Sequence, residues 1–370
     1  MESIVSLVAN LYLDNAAFGL AAGQVEYRLK GLSRTFDFVG QKVTNLGSKM
    51  QGLGGSMTLA LAPFSAMAAG GVAVASKFED SMNIIGLKAG ATEEELRQIQ
   101  QRALEYGRDG WVPQEAADGM LELMSSGYDL DQALQALDTV MIASTASGAE
   151  LGFVADTLTD VMAAFGLEAS DSEETMQSMM AAVGKSSATL SSISEGFMNV
   201  GPVANNFGLS VHDTAAALAN FSEQGIKGAE AGTQLRSMLN NMTRDTDTVQ
   251  AAWDELGTSF YNADGTMRHL DDVIDDINEG LADKTPAETQ RIITDLAGTY
   301  GQMGLSALLA TGGIDEMSAA MSGATSMTDV ANARMETVSG SLAYLKGSVE
   351  TFFITVFIVS PHSIKINSIF

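Results

Sequence analysis

Residues 225–239 read "GIKGAEAGTQLRSML": three glycines (Gly225, Gly228 and Gly232) and Thr233, then Leu235, Met238 and Leu239 at helical spacing. A glycine cluster that opens a helix has two readings. Its backbone N–H groups can cradle a phosphate, or it can turn the chain between two helices and let them approach closely. The phosphate loop needs G-x-x-x-x-G-K-[ST] after a strand, because a lysine must neutralise the charge that the backbone wraps. Here Gly232 is followed by Thr233, and Lys227 precedes Gly228. The run "GKSS" at 184–187 supplies Gly184, Lys185 and Ser186, but the earlier glycine falls on Met179. A dinucleotide fingerprint fails as well, for want of a strand–turn–helix context. The joint reading predicts a helix that begins near Ser210 and is capped by Gly225, a turn relieved by Gly228, and a second helix. Ala229, Ala231 and Gly232 would let that second helix pack closely on a neighbour.

Composition points the same way. The 370 residues include 21 Met and 37 Gly but only 5 Pro, and 6% are aromatic. Ala and Met favour helix, and few aromatic or β-branched runs are present to build sheets. The fold class predicted is therefore all-α with glycine-punctuated joints. With 46 acidic against 20 basic residues the formal charge is −26. Such a surface repels nucleic-acid phosphates and anionic headgroups, so no direct nucleic-acid site is expected. There is no cysteine, which excludes disulfides, thiolate metal sites and cysteine nucleophiles.

Along the chain, residues 1–17 include the β-prone "IVSLVANLYL" and read as an extended arm. Residues 18–55 carry a seam with intervals of four and three: Phe18, Ala22, Val25, Leu29, Leu32, Phe36, Val39, Val43, Leu46, Met50 and Leu53. About five unbroken heptads predict a coiled coil and self-association. Residues 56–77 hold the uncharged run "MTLALAPFSAMAAGGVAVAS" (57–76), read as an apolar helix shielded by neighbouring chains. Residues 78–345 read as a core of packed helical hairpins. Capping boxes or cap-like starts are predicted at Thr92–Glu95, Asp129–Gln132, Asp171–Glu174, Ser210–Asp213 and Thr285–Glu288, with Pro113 and Pro286 in first turns and Gly107 ending a helix. A weak echo, "SSGYDLDQAL", "AFGLEASDSE" and "NFGLSVHDTA", repeats Gly127, Gly166 and Gly208 at spacings of 39 and 42 ahead of helix starts. Residues 346–370 are atypical: "TFFITVFIVSPHSIKINSIF" (351–370) is β-prone and acid-free, and reads as a truncated end or a hydrophobic anchor.

Other chemistry was tested against the residues. Aligning "FYNADGTMRHLD" (260–271) with a calcium loop puts Phe260 in the first ligand position, so it reads as a turn with Asp264-Gly265 at its tip. His212, His269 and His362 are 57 and 93 residues apart, which is no metal-ligand spacing. Glu195 in "SISEGF" is the nearest candidate for a glycosidase acid, but the chain is poor in sugar-stacking aromatics. No catalytic residue, metal or cofactor is predicted.

The segments "FEDSM" (78–82), "ATEEELRQIQQRALEYG" (91–107), "PQEAADGMLELMSSGYDLDQAL" (113–134), "ASGAELGFVADTLTDVMAAFGLEASD" (146–171) and "GPVANNFGLSVHDTAAALANFSEQGIKGAEAGTQLRSML" (201–239) resemble, in order, those of phage tail tape measure proteins. The G-I-x-G-x-x-A-G-T-x-L-R run at 225–236 is the most specific piece, and the similarity covers roughly residues 78–310. The resemblance implies a virion structural protein made in the host bacterial cytoplasm and seated in the tail tube. Its implied work is to set tail length, scaffold tube assembly and aid genome delivery. Its implied partners are the tail tube protein, tail assembly chaperones and a host membrane met on ejection. Two other classes remain in view: a membrane-active protein using residues 54–76, and a wall-lysing enzyme.

Overall fold

The computed structural model describes residues 57–357, except for the side chains of 57–72, Val338, Val356 and Phe357. The N-terminal arm, the coiled-coil seam and most of the atypical tail therefore lie outside the described residues, as do the side chains of most of the apolar run.

Among the described residues the fold is all-α. The helices are α1 (Met57–Ala89), α2 (Glu93–Asp109), α3 (Pro113–Ser125), α4 (Leu130–Ser147), α5 (Leu151–Phe165), α6 (Ser172–Lys185), α7 (Leu190–Asn206), α8 (Val211–Glu223), α9 (Ala229–Met242), α10 (Asp247–Leu256), α11 (Leu270–Leu281), α12 (Pro286–Thr311), α13 (Asp315–Ser322), α14 (Met327–Met335) and α15 (Val338–Phe357). A single 3-10 turn, Ala169–Asp171, precedes α6. The predicted turn at 260–271 is present: Tyr261 and Met267 form an isolated antiparallel bridge, and Asp264 Oδ1 accepts from the Thr266 N–H at 3.0 Å beside Gly265.

Local chemistry places the boundaries. Reciprocal boxes at Thr92/Glu95, Asp129/Gln132, Ser210/Asp213 and Thr285/Glu288 start α2, α4, α8 and α12. Each satisfies backbone N–H groups that have no partner inside the helix. Two expected boundaries move. The box expected at Asp171–Glu174 is instead formed by Glu168 and Asp171 around the 3-10 turn, because Asp171 is already committed backwards to the Glu168 N–H at 3.0 Å. Gly107 does not end α2: it is buried inside the helix, and Gly110, with φ of 108°, is the cap. Gly107 is small because Thr351 and Pro113 pack where a side chain would go.

The chain forms two compact units. One comprises residues 118–334 and is laid out in two rows. Helices α5, α7, α9 and α12 neighbour one another in succession in the first row, and α4, α6, α8 and α13 in the second. Successive hairpins cross from row to row through the turns at Gly166, Gly208 and Gly225, all with positive φ. The echo read in the sequence is therefore a repeated helix exit: Tyr128, Leu167, Leu209 and Ile226 each donate a backbone N–H to a carbonyl five residues earlier, at 2.9–3.1 Å. Between the rows lie Leu158, Met176, Met179, Phe197, Leu218, Phe221 and Met238, each at most 1% exposed. Each large apolar side chain so buried contributes about 1.5–3 kcal/mol.

The other unit joins distant parts of the chain, residues up to 117 and from 335 onward. Helix α15 packs on both α1 and α2. Phe78, Ile85, Ile99, Leu345 and Ile354 are nearly or fully buried. Tyr344 Oη donates to the Arg108 carbonyl at 2.7 Å, and Gln114 Nε2 donates to Ser81 Oγ at 2.9 Å. The β-prone composition of 351–357 is thus overridden. Those residues are helical because α1 and α2 supply an apolar surface for them.

Candidate functional site: the glycine joint and the neighbouring cleft

At 225–239 the chain turns between two helices. Helix α8 ends at Glu223, Gly225 follows with φ of 84°, and the Ile226 N–H donates to the Phe221 carbonyl at 2.9 Å. Gly228 then adopts φ 62° and ψ −140° as the residue that opens α9. That backbone region is close to glycine-only. Ala231, Leu235, Met238 and Leu239 are at most 1% exposed, so the apolar face is fully used in packing. Gly232 lies directly on the Gly196 carbonyl of α7, and Thr233 is half-buried beside it.

On its other side α9 meets α12 just as closely. Gly301 rests on the backbone of Met238, and Gly304 rests on Phe221 and Gln234. Gln234 is buried, and its Oε1 accepts from the Gly304 N–H at 3.2 Å. Helix α12 is kinked at Gly298 (φ 70°, ψ 172°), and Asn241 Nδ2 donates to the Ala297 carbonyl at the break, at 2.8 Å. None of these α12 contacts was expected from sequence. The signal for them was present in "GTYGQMG" (298–304), whose three glycines recur every third residue.

The remaining sequence candidates disperse. Glu195 is exposed on α7, where its Oε1 accepts from Ser191 Oγ at 3.4 Å. Lys185 is the last residue of α6 rather than part of a strand-to-helix loop. His212 is half-buried, its Nε2 donating to the Ser318 carbonyl at 3.2 Å, while His269 is exposed. No group of three or more metal-ligating side chains occurs among the described residues. No helix among them is long and apolar enough to cross a membrane. The seam residues Val25, Leu29, Leu32, Phe36, Val39, Val43, Leu46 and Met50 lie outside the described set.

Two further features belong to the 118–334 unit. Asp271, at the start of α11, has its carboxyl pushed up to about 6, chiefly by burial, with the neighbouring Asp315 carboxyl adding to the effect. Its Oδ1 accepts from the Ile314 N–H at 2.6 Å and so ties α11 to the turn between α12 and α13. The second feature is a cleft of about 700 Å³ where the α4–α5 and α6–α7 turns meet the segment 324–334. Phe153, Val183, Met327 and Val330 line it, and its charged residues are both cations, Lys185 and Arg334.

The profile of a family described as phage-related minor tail protein matches residues 100–298, more than half of the chain and the whole of the α9 joint. The chain belongs to that family. A protein named tape measure protein from Pneumococcus phage Dp-1 is 29% identical over 360 residues, which is 95% of this chain and 31% of the relative. A probable tape measure protein of Escherichia phage P2 is 21% identical over 287 residues, 76% of this chain and 35% of that protein. The chain thus spans about a third of the length of the curated relatives it matches. No solved structure matches it. Around the joint, glycines bring the backbone of α9 against α7 at Gly232 and against α12 at Gly301.

Proposed function

We propose that this chain acts in the phage tail as part of a tape measure protein, setting tail length and scaffolding the polymerising tube. The observation that carries the reading is the alignment of 95% of the chain with a protein named as a tape measure protein. In this reading the tube protein and the tail assembly chaperones are its partners, and the work is structural, without catalysis. Residues 118–334 are a folded body of hairpins rather than a rod. As one continuous helix they would extend about 330 Å, whereas the longest helix within them, the kinked α12, advances at most about 39 Å. Length measurement is therefore assigned to the heptad seam read at 18–55. The hairpin unit is assigned the role of a folded anchor. The seam from Val25 to Met50 supplies self-association inside a narrow lumen, and the apolar run at 57–76 meets a host membrane during genome delivery.

The test is deletion of whole heptads from 18–55 in a phage carrying the complete gene. Tails should shorten by about 10 Å per heptad, the rise of seven helical residues, as measured by electron microscopy. Tails of unchanged length would overturn the ruler reading.

A further inference from the structure

The cleft between the hairpin turns and the segment 324–334 has a chemistry that is the reverse of the chain's. The protein carries 46 acidic and 20 basic residues, yet the cleft wall holds Lys185 and Arg334 and no carboxylate. Lys185 is exposed and makes no ion pair among the described residues. Phe153, 37% exposed, opens onto the same space together with the half-buried Val183 and Val330. The first turn of α7, Thr189 to Ser191, forms part of the wall and adds the positive end of a helix dipole. The volume is that of a site which encloses one or two large side chains.

We propose that this cleft docks a segment of a partner protein that presents a bulky apolar side chain next to a carboxylate. The apolar wall would take the side chain, and Lys185 would take the carboxylate. Charge complementarity selects the occupant. A basic segment would set like charge against Lys185, and a nucleic acid would gain nothing from the apolar wall while meeting the field of a −26 surface. The inference does not depend on the measuring role, because the cleft lies within the folded hairpin unit.

The chain's lack of cysteine makes the test clean. A Ser191→Cys variant of the full chain, labelled with an environment-sensitive dye at the cleft wall, would be titrated with three 12-residue peptides. One carries Leu and Glu on adjacent helical turns, one replaces Leu by Ser, and one replaces Glu by Lys. A saturable spectral shift is expected with the Leu/Glu peptide, with binding about tenfold or more weaker for the other two. Adding Lys185→Glu should weaken Leu/Glu binding by about tenfold and improve Leu/Lys binding, since the ion pair is reversed. Phe153→Ser, at an exposed position, should weaken Leu/Glu binding without changing the charge preference, and far-UV circular dichroism checks that both variants fold. Equal binding of the three peptides, absence of a saturable shift, indifference to Lys185→Glu, or tighter binding of a phosphorylated oligonucleotide would each overturn the proposal.

Discussion

Gly232 of α9 sits against the backbone carbonyl of Gly196 in α7, so close that a side-chain carbon at 232 would overlap that oxygen and crowd Asn199. Neither backbone can yield without moving a whole helix. Gly232→Ala should therefore destabilise the protein by about 1–3 kcal/mol, the usual cost of overfilling a packed interface. That cost outweighs the roughly 1 kcal/mol that alanine gains over glycine in a free helix. Urea unfolding followed by circular dichroism decides it, and a stabilised variant would contradict the close approach.

Gly225 and Gly228 stand three residues apart and should respond differently to asparagine. Gly225 has φ of 84° and open space beside it, a left-handed cap position that asparagine tolerates. Gly228 pairs φ 62° with ψ −140° and would point a side chain at Glu195 Oε2. Gly225→Asn should cost well under about 1 kcal/mol, and Gly228→Asn about 1–3 kcal/mol. Paired thermal melts would show the ordering, and equal losses would refute it.

The raised carboxyl of Asp271 makes stability depend on pH. In the unfolded chain this group titrates near 4, about the ordinary aspartate value, whereas in the fold it titrates at about 6. The folded state therefore holds more protons on this group between those values, so its contribution to stability is fully present below about pH 4 and is lost as pH rises through about 6. Because the Asp315 carboxyl adds to the rise at Asp271, Asp271→Asn should remove that slope and Asp315→Asn should reduce it. Asp271→Asn keeps an acceptor for the Ile314 N–H. Melting temperatures from pH 4 to 7 give the readout, and parallel curves for wild type and variants would count against the pairing.

Helix α15 is held to the turn that follows α2 by a similarly tight contact, with Gly347 on the Trp111 carbonyl. Gly347→Ala should cost about 1–3 kcal/mol by overfilling. Amide exchange should accelerate in peptides covering 93–112 and 338–357 together, because both belong to one unit. Faster exchange confined to 338–357 would show that α15 adds little to α2.

The glycine joint was legible because its demands are local. A left-handed cap, a turn and a helix start each depend on a few consecutive residues, and "GIKGAEAG" carries all of them. The capping boxes at Thr92, Asp129, Ser210 and Thr285 were legible for the same reason. Where two local candidates competed, the reading slipped: Gly107 and Gly110 both suit a helix end, and only the packing of Thr351 against Gly107 decides between them. Asp171 likewise could cap forwards or backwards, and sequence carries no preference.

By itself, then, the sequence determined an all-helical chain, the places where its helices start and turn, and the family to which its ordered motifs belong. These follow from short-range hydrogen bonding and side-chain periodicity. Tertiary structure alone decided that α15 completes a unit begun more than 200 residues earlier, and that Gly298, Gly301 and Gly304 seat α12 on α9. It alone brought Lys185 and Arg334 to one cleft. Contacts between distant residues depend on which apolar faces meet after the chain folds back, and no window of neighbouring residues encodes that choice.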